Sequence, residues 1–277
     1  MGKTAKTNLA KGATNEVGVI IMSYIRLNEI FQKIEIGAGD ILLIGSDITL
    51  LALESLRNGE KFNADNFIDC IIEKVGDNGT IMFPTYNWDF CKGVGFDYNK
   101  TLSKTGALTT AVLKRKDFKR TKHPIYSFAV WGKDQQYLCN LENVSSFGGD
   151  SPFGYLHKQN AKMLIIGLDY QRSFTFVHHV EEMENAPYRY HKNFTAPYIN
   201  EDGIEEVRTY SMYVRNLEPE VFTQINPIGN ELERQGASYH FVINTVDFYL
   251  IDLARAYRII KDDIVFNGGK RLHIVTE

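Results

Sequence analysis

The sequence predicts an α/β protein: a mixed, partly parallel sheet flanked by helices, with a smaller β-rich part near the C terminus. Continuous apolar runs at Asp40–Ile44 and Thr80–Phe83 have the pattern of buried strands, and each adjoins a helical pattern. Lys162–Leu168 is the clearest buried strand, and it too leads into a helix. Because β/α units in succession favour parallel pairing, we expect at least part of the sheet to be parallel.

The composition is that of an ordered globular protein and not of a general nucleic-acid binder. The 277 residues are 44% hydrophobic and 12% aromatic, and the formal net charge is -3. A nucleic-acid binder would usually carry a strong basic excess. Three widely spaced cysteines without a CxxC motif argue against a disulfide framework and against a zinc site.

The N-terminal segment contains lysines but lacks the apolar core of a signal peptide, and the sequence has no apolar run of the roughly 18–20 residues that span a bilayer. We therefore expect a cytoplasmic protein without a membrane partner. Residues 1–21 are predicted to form a flexible tail. Residues 22–277 are predicted to form one domain, either undivided or split into two intimate subdomains (about 22–186 and 187–277).

Polar residues follow the first strand. After a short helix predicted over Ser23–Phe31, the first strand leads through Gly45, Ser46 and Asp47 into a helix over about Ile48–Leu56. Backbone N–H groups at such a helix start suit an anion or another polar ligand. Ordinary helix capping by Ser46 or Asp47 explains the same pattern.

A loop rich in aromatic and polar side chains, Pro84–Phe96, follows the second strand. The carboxyl ends of parallel strands are favoured ligand sites. Aromatic rings there can stack on a base or a sugar, and Asn or Asp can orient hydroxyl or amine groups. The alternative is that these rings dock on the core. The candidates are Tyr86, Asn87, Trp88 and Asp89.

The next segment predicts a capped helix over Thr101–Lys114, and a cluster of cations extends from its end to Arg120. For most of these cations, a solvated helix end is a sufficient explanation. His123 precedes a proline, which favours extended backbone, and it leads into a strand over Ser127–Trp131. A short helix is predicted over Gln135–Leu141.

The helical segment after Thr175 carries paired histidines and glutamates. Residues three apart share a helix face, so His178 can meet Glu181 and His179 can meet Glu182. A histidine can act as a base at neutral pH, and a carboxylate on its other ring nitrogen fixes the tautomer. Purely structural histidines are one alternative. Metal binding is another, but the sequence has no HExxH motif, and we predict no metal.

Alternating aromatic and basic residues predict strands from Pro187 to Val214. Helices are predicted over Glu218–Gln235 and Thr245–Ile260, and the chain is predicted to end in a short strand within RLHIVT.

Taken in order, six blocks resemble the aminoglycoside 3-N-acetyltransferase family. The blocks are GTIMFPTYNW, KTGALTTAVLKR, RTKHPIYSFAVWG, FGGDSPFGYL, KMLIIGLD and TFVHHVEE, within about Asp40–Tyr188. The resemblance implies the fold of that family, acetyl-CoA or another short acyl-CoA as cosubstrate, and acyl transfer to a sugar amine.

The resemblance also implies roles for individual residues. The implied catalytic residues are His178, Glu181 and His123. The implied cofactor-binding residues are Ser46, Asp47, Thr105, Gly106, Arg120 and Ser127. The substrate-binding candidates are Tyr86, Asn87, Trp88, Asp89, Asp150, His179 and Glu182. Asp150 lies one residue later than the acid that often follows Phe-Gly in the family, which changes the direction of its carboxylate.

Two details are similar to a sugar-acylating branch of the family. Gly45 stands where members usually carry a histidine, and TYNWDFCKGVGFDYNKT resembles the branch that includes the N-acyltransferase of anthrose biosynthesis. This implies a nucleotide-linked amino-dideoxyhexose, with dTDP as nucleotide, for O-antigen or other surface-polysaccharide assembly. An aminoglycoside N-acetyltransferase is the first alternative, and a non-catalytic binding protein of the same fold is the second.

The sequence leaves the proton acceptor open. Either His178 takes the proton of the amine, or the departing CoA sulfur collects it and His178 only orients the acceptor. We expect a homo-oligomer only from the general prevalence of such assemblies.

Overall fold

The computed structural model describes residues 24–275, so the predicted tail 1–21 lies outside the described residues. The strands are β1 (Ile41–Ser46), β2 (Thr80–Pro84), β3 (Phe96–Asp97), β4 (Lys119–Arg120), β5 (Phe128–Gly132), β6 (Lys162–Ile166), β7 (Arg189–Ile199), β8 (Glu205–Arg215), β9 (Val221–Thr223), β10 (Ser238–Ile243), β11 (Val246–Asp252) and β12 (His273–Val275). The α-helices are α1 (Thr49–Arg57), α2 (Ala64–Val75), α3 (Ala107–Val112), α4 (Gln135–Cys139), α5 (Pro152–Lys158), α6 (Tyr170–Ser173), α7 (Val177–Met183), α8 (Asn226–Arg234) and α9 (Leu253–Asn267). Short 3-10 helices lie at Leu27–Lys33 and Asp89–Lys92. Over residues 24–275, no helix combines the length and apolar character needed to cross a membrane.

A seven-stranded mixed sheet organises the protein, in the order β10-β11-β6-β1-β2-β5-β4. At its centre β1 pairs in parallel with β2 and with β6, and antiparallel strands flank this centre on both sides. Because the three parallel strands end at the same edge, the loops after Ser46, Pro84 and Ile166 meet there. This arrangement confirms the predicted α/β class with a partly parallel sheet.

Apolar side chains cover both faces of the sheet. Successive residues of a strand face opposite sides, so Leu42 and Leu43 lie in different core clusters. Residues of α1, α2 and α3 belong to the cluster around Leu42, whereas residues of α5, α7, α8 and α9 belong to the cluster around Leu43. Removal of this apolar surface from water is the main contribution to folding.

A smaller three-stranded sheet, in the order β3-β7-β8, forms the predicted β-rich part. β7 and β8 make a long antiparallel hairpin that begins with the pair Arg189 and Arg215. β3 joins in parallel, and the rings of Phe96 and Tyr198 stack with their centroids 5.4 Å apart. The long hairpin thereby gains a third strand at one edge.

The C-terminal part differs from the sequence prediction. The predicted helix over Thr245–Ile260 is wrong in its first half, because Val246–Asp252 forms strand β11 and pairs with β6 and β10. Helix α9 begins only at Leu253, where the Asp252 carboxylate accepts the N–H of Arg255 at 2.9 Å. Since β10 and β11 extend the central sheet, a boundary near residue 187 does not separate two sheets.

Two other helices are shorter than predicted. Within Thr101–Lys114, helix α3 begins at Ala107, after Gly106 with a φ of +116°. Within Glu218–Gln235, helix α8 begins at Asn226, and the residues before it include strand β9.

Candidate active site

A cleft of about 440 Å³, here called the edge cleft, opens at the carboxyl ends of β1, β2 and β6. It is lined by Gly45, Ser46, Asp47, Ile48, Thr49, Pro84, Tyr86, Trp88, Lys104, Thr105, Gly106, Ala107, Leu168, Arg172, Ser173 and Thr175. The structure therefore brings four cofactor-binding candidates (Ser46, Asp47, Thr105 and Gly106) and two substrate-binding candidates (Tyr86 and Trp88) to one place.

Close backbone approach shapes the edge cleft beside Ser46. A Cβ at Gly106 would lie 3.2 Å from the Ser46 carbonyl oxygen, and the φ of +116° favours glycine there. The Thr105 hydroxyl donates to the last carbonyl of β2. Asp47 accepts the N–H of Thr49 at 3.0 Å, and hydrogen bonding to Thr49 lowers the pKa of its carboxyl. The floor of the cleft is thus polar and closely packed beside Ser46.

A second cavity of about 320 Å³, here called the hairpin pocket, lies between α7 and the β7–β8 hairpin. Its lining residues are Tyr126, Phe147, His178, Arg189, Tyr190, Lys192, Phe194, Met212, Tyr213, Val214, Arg215 and Leu217. Three of these are cations and none is a carboxylate. Most of the remaining lining is aromatic or aliphatic.

His178 is the titratable group that lines the hairpin pocket from α7. Its Nδ1 lies 2.6 Å from Oε2 of Glu181, and the same oxygen lies 2.6 Å from Nε of Arg189. The side chain of Glu181 is fully buried, whereas that of His178 is 17% exposed. A buried ion pair thus holds the inner side of the imidazole while its outer side faces the pocket.

The charges around His178 fix its protonation state. Burial would raise the pKa of Glu181, but the Arg189 charge and the hydrogen bond with His178 outweigh it, and the carboxyl stays ionised with a lowered pKa. Burial and the Arg189 charge also lower the pKa of His178, against the effect of Glu181. A neutral imidazole beside a carboxylate carries its proton on Nδ1. The Nε2 lone pair is then available as a base at neutral pH.

Three aromatic residues separate the two cavities. The Nε1–H of Trp88 donates to the Tyr126 hydroxyl at 3.2 Å, and the rings of Tyr86 and Tyr126 lie 4.6 Å apart between centroids. Thr175, which lines the edge cleft, is one turn before His178, whose N–H donates to its carbonyl at 3.0 Å. His178 therefore lies close to the boundary between the cavities.

Cations also border the edge cleft. Lys104 Nζ lies 2.5 Å from Asp89, and Arg172 Nε lies 3.0 Å from Asp169. Neither acid is among the residues that line the cleft, so the substrate-binding candidate Asp89 has the position of a partner to Lys104.

His123 is not brought to either cavity. It is buried, its Nδ1 accepts the N–H groups of Ile125 and Tyr126 at 3.2 and 3.1 Å, and its Nε2 lies 3.3 Å from the Ser146 hydroxyl. Burial lowers its pKa to about 3. Both ring nitrogens of the expected catalytic residue His123 thus have partners inside the core, and the structure does not support that role.

Arg120 and Ser127 are likewise structural in their contacts. The buried Arg120 donates to the carbonyls of Thr101 and Thr85 at 2.5 and 3.0 Å and to the Ser127 hydroxyl at 3.0 Å. Ser127 in turn donates to the Thr85 carbonyl at 2.9 Å. These internal partners engage the guanidinium, so the structure does not support the expected role of Arg120 as a phosphate ligand.

The other substrate-binding candidates lie outside the linings of both cavities. Asn87 is buried and donates to the Leu102 carbonyl at 2.9 Å, while Asp150 is exposed. His179 is buried and donates from Nδ1 to the Phe147 carbonyl at 2.7 Å. Glu182 accepts the Ser145 hydroxyl at 2.7 Å, and burial raises its pKa. Of the two predicted His–Glu pairs, the structure forms only His178 with Glu181.

Sequence reasoning missed the residues that complete the site from elsewhere in the chain. Arg189 stands inside the segment PYRY, Lys192 and Arg215 lie on the hairpin, and Tyr126 lies inside the HPIYSF block. The alternation of basic and aromatic residues after Pro187 predicted the hairpin strands. It did not predict that these strands would pack against α7. Over residues 24–275, no group of three or more His, Cys, Asp or Glu side chains is arranged to hold a metal ion.

The edge cleft and the hairpin pocket approach each other at Thr175 and His178, which lie one helical turn apart. The chain belongs to the aminoglycoside 3-N-acetyltransferase family, whose family model matches residues 51–263. The chain is similar to the SPbeta prophage-derived aminoglycoside N(3')-acetyltransferase-like protein YokD of Bacillus subtilis (strain 168), with 27% identity over 157 residues. That match spans 48% of this chain and 57% of the relative, so it covers little more than half of the relative's length.

Solved structures share the fold. The crystal structure of aminoglycoside acetyltransferase AAC(3)-Xa matches with a TM-score of 0.72 at 18% identity, over 86% of this chain and 90% of that one. A structure of AAC-IIIb in a binary complex with CoASH matches with a TM-score of 0.71 at 16% identity, over 87% and 95%. These likenesses confirm the predicted fold.

Proposed function

We propose that this protein transfers the acetyl group of acetyl-CoA to the amine of a dTDP-linked 3-amino or 4-amino dideoxyhexose. One observation carries the proposal: His178, neutral and held by Glu181, lines the hairpin pocket one turn after Thr175, which lines the edge cleft. The membership of an N-acetyltransferase family supports the reaction class.

The edge cleft is the proposed site of acetyl-CoA. Polar backbone and side-chain groups line it, and Lys104 and Arg172 offer positive charge for the phosphates of the coenzyme. AAC-IIIb, which shares the fold, has been solved with CoASH, and this supports the same class of cosubstrate here. Arg120, Ser127 and His123 make hydrogen bonds inside the core and line neither cavity, so the proposed coenzyme site does not include them.

The chemistry needs a deprotonated amine. In the proposed reaction the amine nitrogen attacks the thioester carbonyl carbon, and His178 Nε2 takes the proton that the nitrogen loses. The C–S bond then breaks, and the imidazolium returns a proton to the sulfur to give CoASH. Glu181 keeps the imidazole in the required tautomer and stabilises its positive charge during the reaction.

The hairpin pocket is the proposed acceptor site. Lys192 and Arg215 are on its wall, and none of its lining residues is a carboxylate. An anionic nucleotide sugar suits such a wall, and aromatic side chains such as Tyr190 and Tyr213 can pack against a base or sugar ring. A polycationic aminoglycoside would instead favour carboxylates.

An aminoglycoside acceptor is the second candidate. The family description and the name of the Bacillus subtilis relative both refer to aminoglycosides, which favours this alternative. A thiol-release assay separates the two candidates. Acetyl-CoA is offered with dTDP-3-amino and dTDP-4-amino dideoxyhexoses and with kanamycin-type aminoglycosides, and we expect turnover only with a dTDP sugar.

His178→Ala tests the base in the same assay. We expect a decrease in kcat of about 10²-fold or more, with His240→Ala, an exposed histidine outside both cavities, as the matched control. Full activity of His178→Ala would support proton collection by the CoA sulfur. Turnover confined to aminoglycosides would refute the nucleotide-sugar acceptor, and no turnover with any amine would support a binding protein that retains the fold.

The charge of the acceptor is tested with Lys192→Ala. Loss of this cation should raise KM for the dTDP sugar several-fold and leave KM for acetyl-CoA unchanged, whereas the exposed control Lys33→Ala should change neither. An unchanged KM for the sugar in Lys192→Ala would contradict the placement of the nucleotide in the hairpin pocket.

A further inference from the structure

Tyr126 lies at the boundary of the two cavities. It lines the hairpin pocket, while its hydroxyl oxygen accepts the Nε1–H of Trp88, a residue of the edge cleft, at 3.2 Å. Its ring centroid lies 4.6 Å from that of Tyr86 on the cleft side and 4.7 Å from that of Phe147 on the pocket side. The phenol therefore lies between residues that line the proposed donor site and residues that line the proposed acceptor site.

The hydroxyl proton of Tyr126 has no acceptor among residues 24–275, although the side chain is only 8% exposed. Other buried phenols differ: the hydroxyls of Tyr170, Tyr198 and Tyr213 each donate to a protein oxygen. A buried donor without an acceptor is destabilising, so Tyr126 has the properties of a donor kept free for a ligand.

The protonation state of Tyr126 suits a donor. Burial raises the pKa of its hydroxyl, so the group stays protonated at neutral pH. The N–H of Trp88 holds the phenol oxygen in place and draws electron density from it, which makes the O–H a stronger donor. Tyr188, whose buried hydroxyl lies near Glu181, lines neither cavity and so has no comparable access to a substrate.

We propose that the Tyr126 hydroxyl donates a hydrogen bond to the thioester carbonyl oxygen of acetyl-CoA and stabilises the oxyanion that forms there. The inference rests on the proposed function. As the amine nitrogen bonds to the carbonyl carbon, the C=O π electrons move to the oxygen, where the O–H of Tyr126 meets the new negative charge. The phenol keeps its proton throughout. When the C–S bond breaks, the carbonyl is restored and the hydrogen bond weakens.

Such a donor acts in the transition state more than in the ground state. Removal of one oxyanion donor typically costs about 10²–10³ in kcat. The variant Tyr126→Phe keeps the ring and its packing and removes only the hydroxyl. We expect kcat to fall about 10²-fold in the thiol-release assay, with KM for both substrates within about threefold of wild type and an unchanged thermal midpoint.

Tyr198→Phe is the matched control. It also removes a buried hydroxyl, one that donates to the Lys122 carbonyl at 2.8 Å, but Tyr198 lines neither cavity. It should lower the thermal midpoint slightly and leave kcat unchanged. A kcat of Tyr126→Phe within threefold of wild type would overturn the inference, and so would a rise in the acceptor's KM at constant kcat. An inactive wild type would instead overturn the proposed function and the inference with it.

Discussion

The Nε atom of Arg189 lies 2.6 Å from Oε2 of Glu181, and both side chains are at least 95% buried. The pair joins the first residue of β7 to the middle of α7, so the hairpin and the helix that form the hairpin pocket are tied by opposite charges. Because His178 shares the same carboxylate oxygen, the charges of the pair affect the pKa of the imidazole.

Arg189→Met should move the acidic limb of the pH–rate profile to higher pH. The Arg189 charge lowers the pKa of both His178 and Glu181, so without it the pair takes up a proton at a higher pH. On His178 this proton occupies Nε2 directly. If the proton binds Glu181 instead, the neutral carboxyl donates a hydrogen bond to Nδ1, and the imidazole must then carry its own proton on Nε2. Either way the base is lost, and kcat/KM at pH 6 should decrease more than at pH 8.

Arg189→Lys is the control for this variant, since it keeps the charge but not the guanidinium contacts with Tyr213 and Thr223. It should restore the position of the limb in part. Arg189→Met should also lower the free energy of unfolding by about 3–5 kcal/mol, as expected when a buried carboxylate loses its partner. If Arg189→Met is destabilised but the acidic limb of its pH–rate profile does not shift, the role of Arg189 is structural only.

Glu181→Gln should reduce kcat by about 10²-fold or more at neutral pH, because the amide neither stabilises the imidazolium nor enforces the Nδ1–H tautomer. The hydrogen bond to Glu181 raises the pKa of His178, so its loss should also move the acidic limb to lower pH, opposite to the shift in Arg189→Met. Single-turnover rates over pH 5–9 measure both effects. If the acidic limb shifted in the same direction in Glu181→Gln and Arg189→Met, the opposite effects of Glu181 and Arg189 on the pKa of His178 would be contradicted.

The sequence could predict the His178–Glu181 pair because both residues lie on one helix, three positions apart. It could not predict Arg189, since that contact depends on how the turn after α7 directs β7 back along the helix. Arg120 shows the converse. Its position in a family block indicated ligand binding, but its partners are carbonyls of Thr85 and Thr101, which only the fold brings near.

The parallel strands β1, β2 and β6 were predictable because strands covered on both faces are continuously apolar. Strand β11 was not. Its apolar residues alternate at Val246, Phe248 and Leu250, and α9 begins at Leu253 without an intervening turn. The sequence therefore predicted a single helix across the strand and the helix. Pairing with β6, a long-range contact, decides the conformation of this segment.

Substitution of Arg120 should change stability, whereas substitution of the cations of the edge cleft should change coenzyme binding. Arg120→Met removes a charged donor from the carbonyls of Thr101 and Thr85, so the free energy of unfolding should fall by roughly 2–4 kcal/mol. KM for acetyl-CoA should stay within twofold. Lys104→Ala and Arg172→Ala should instead raise that KM several-fold with little loss of stability, because both residues lie at the cleft surface. The reverse pattern would return Arg120 to the coenzyme site. Urea unfolding and initial rates measure the two quantities.

His123 should make the protein sensitive to acid through stability and not through catalysis. Its pKa is about 3 in the folded protein because of burial, compared with about 6.5 in an unfolded chain. Between these values the unfolded chain binds a proton at His123 that the folded protein does not, so stability falls as pH decreases through this window and is independent of this group well above it.

His123→Asn isolates this contribution. The Asn side-chain oxygen can accept the N–H groups of Ile125 and Tyr126 in place of Nδ1, and it does not titrate. Between pH 7 and pH 5, wild type should lose about 2 kcal/mol more unfolding free energy than the variant, since one pKa unit corresponds to about 1.4 kcal/mol. Urea unfolding at the two pH values measures the difference. Equal losses of unfolding free energy in the two proteins would mean that His123 takes up a proton in the folded protein as readily as in the unfolded chain. Its Nδ1 could then not be the acceptor of the Ile125 and Tyr126 N–H groups at pH 5.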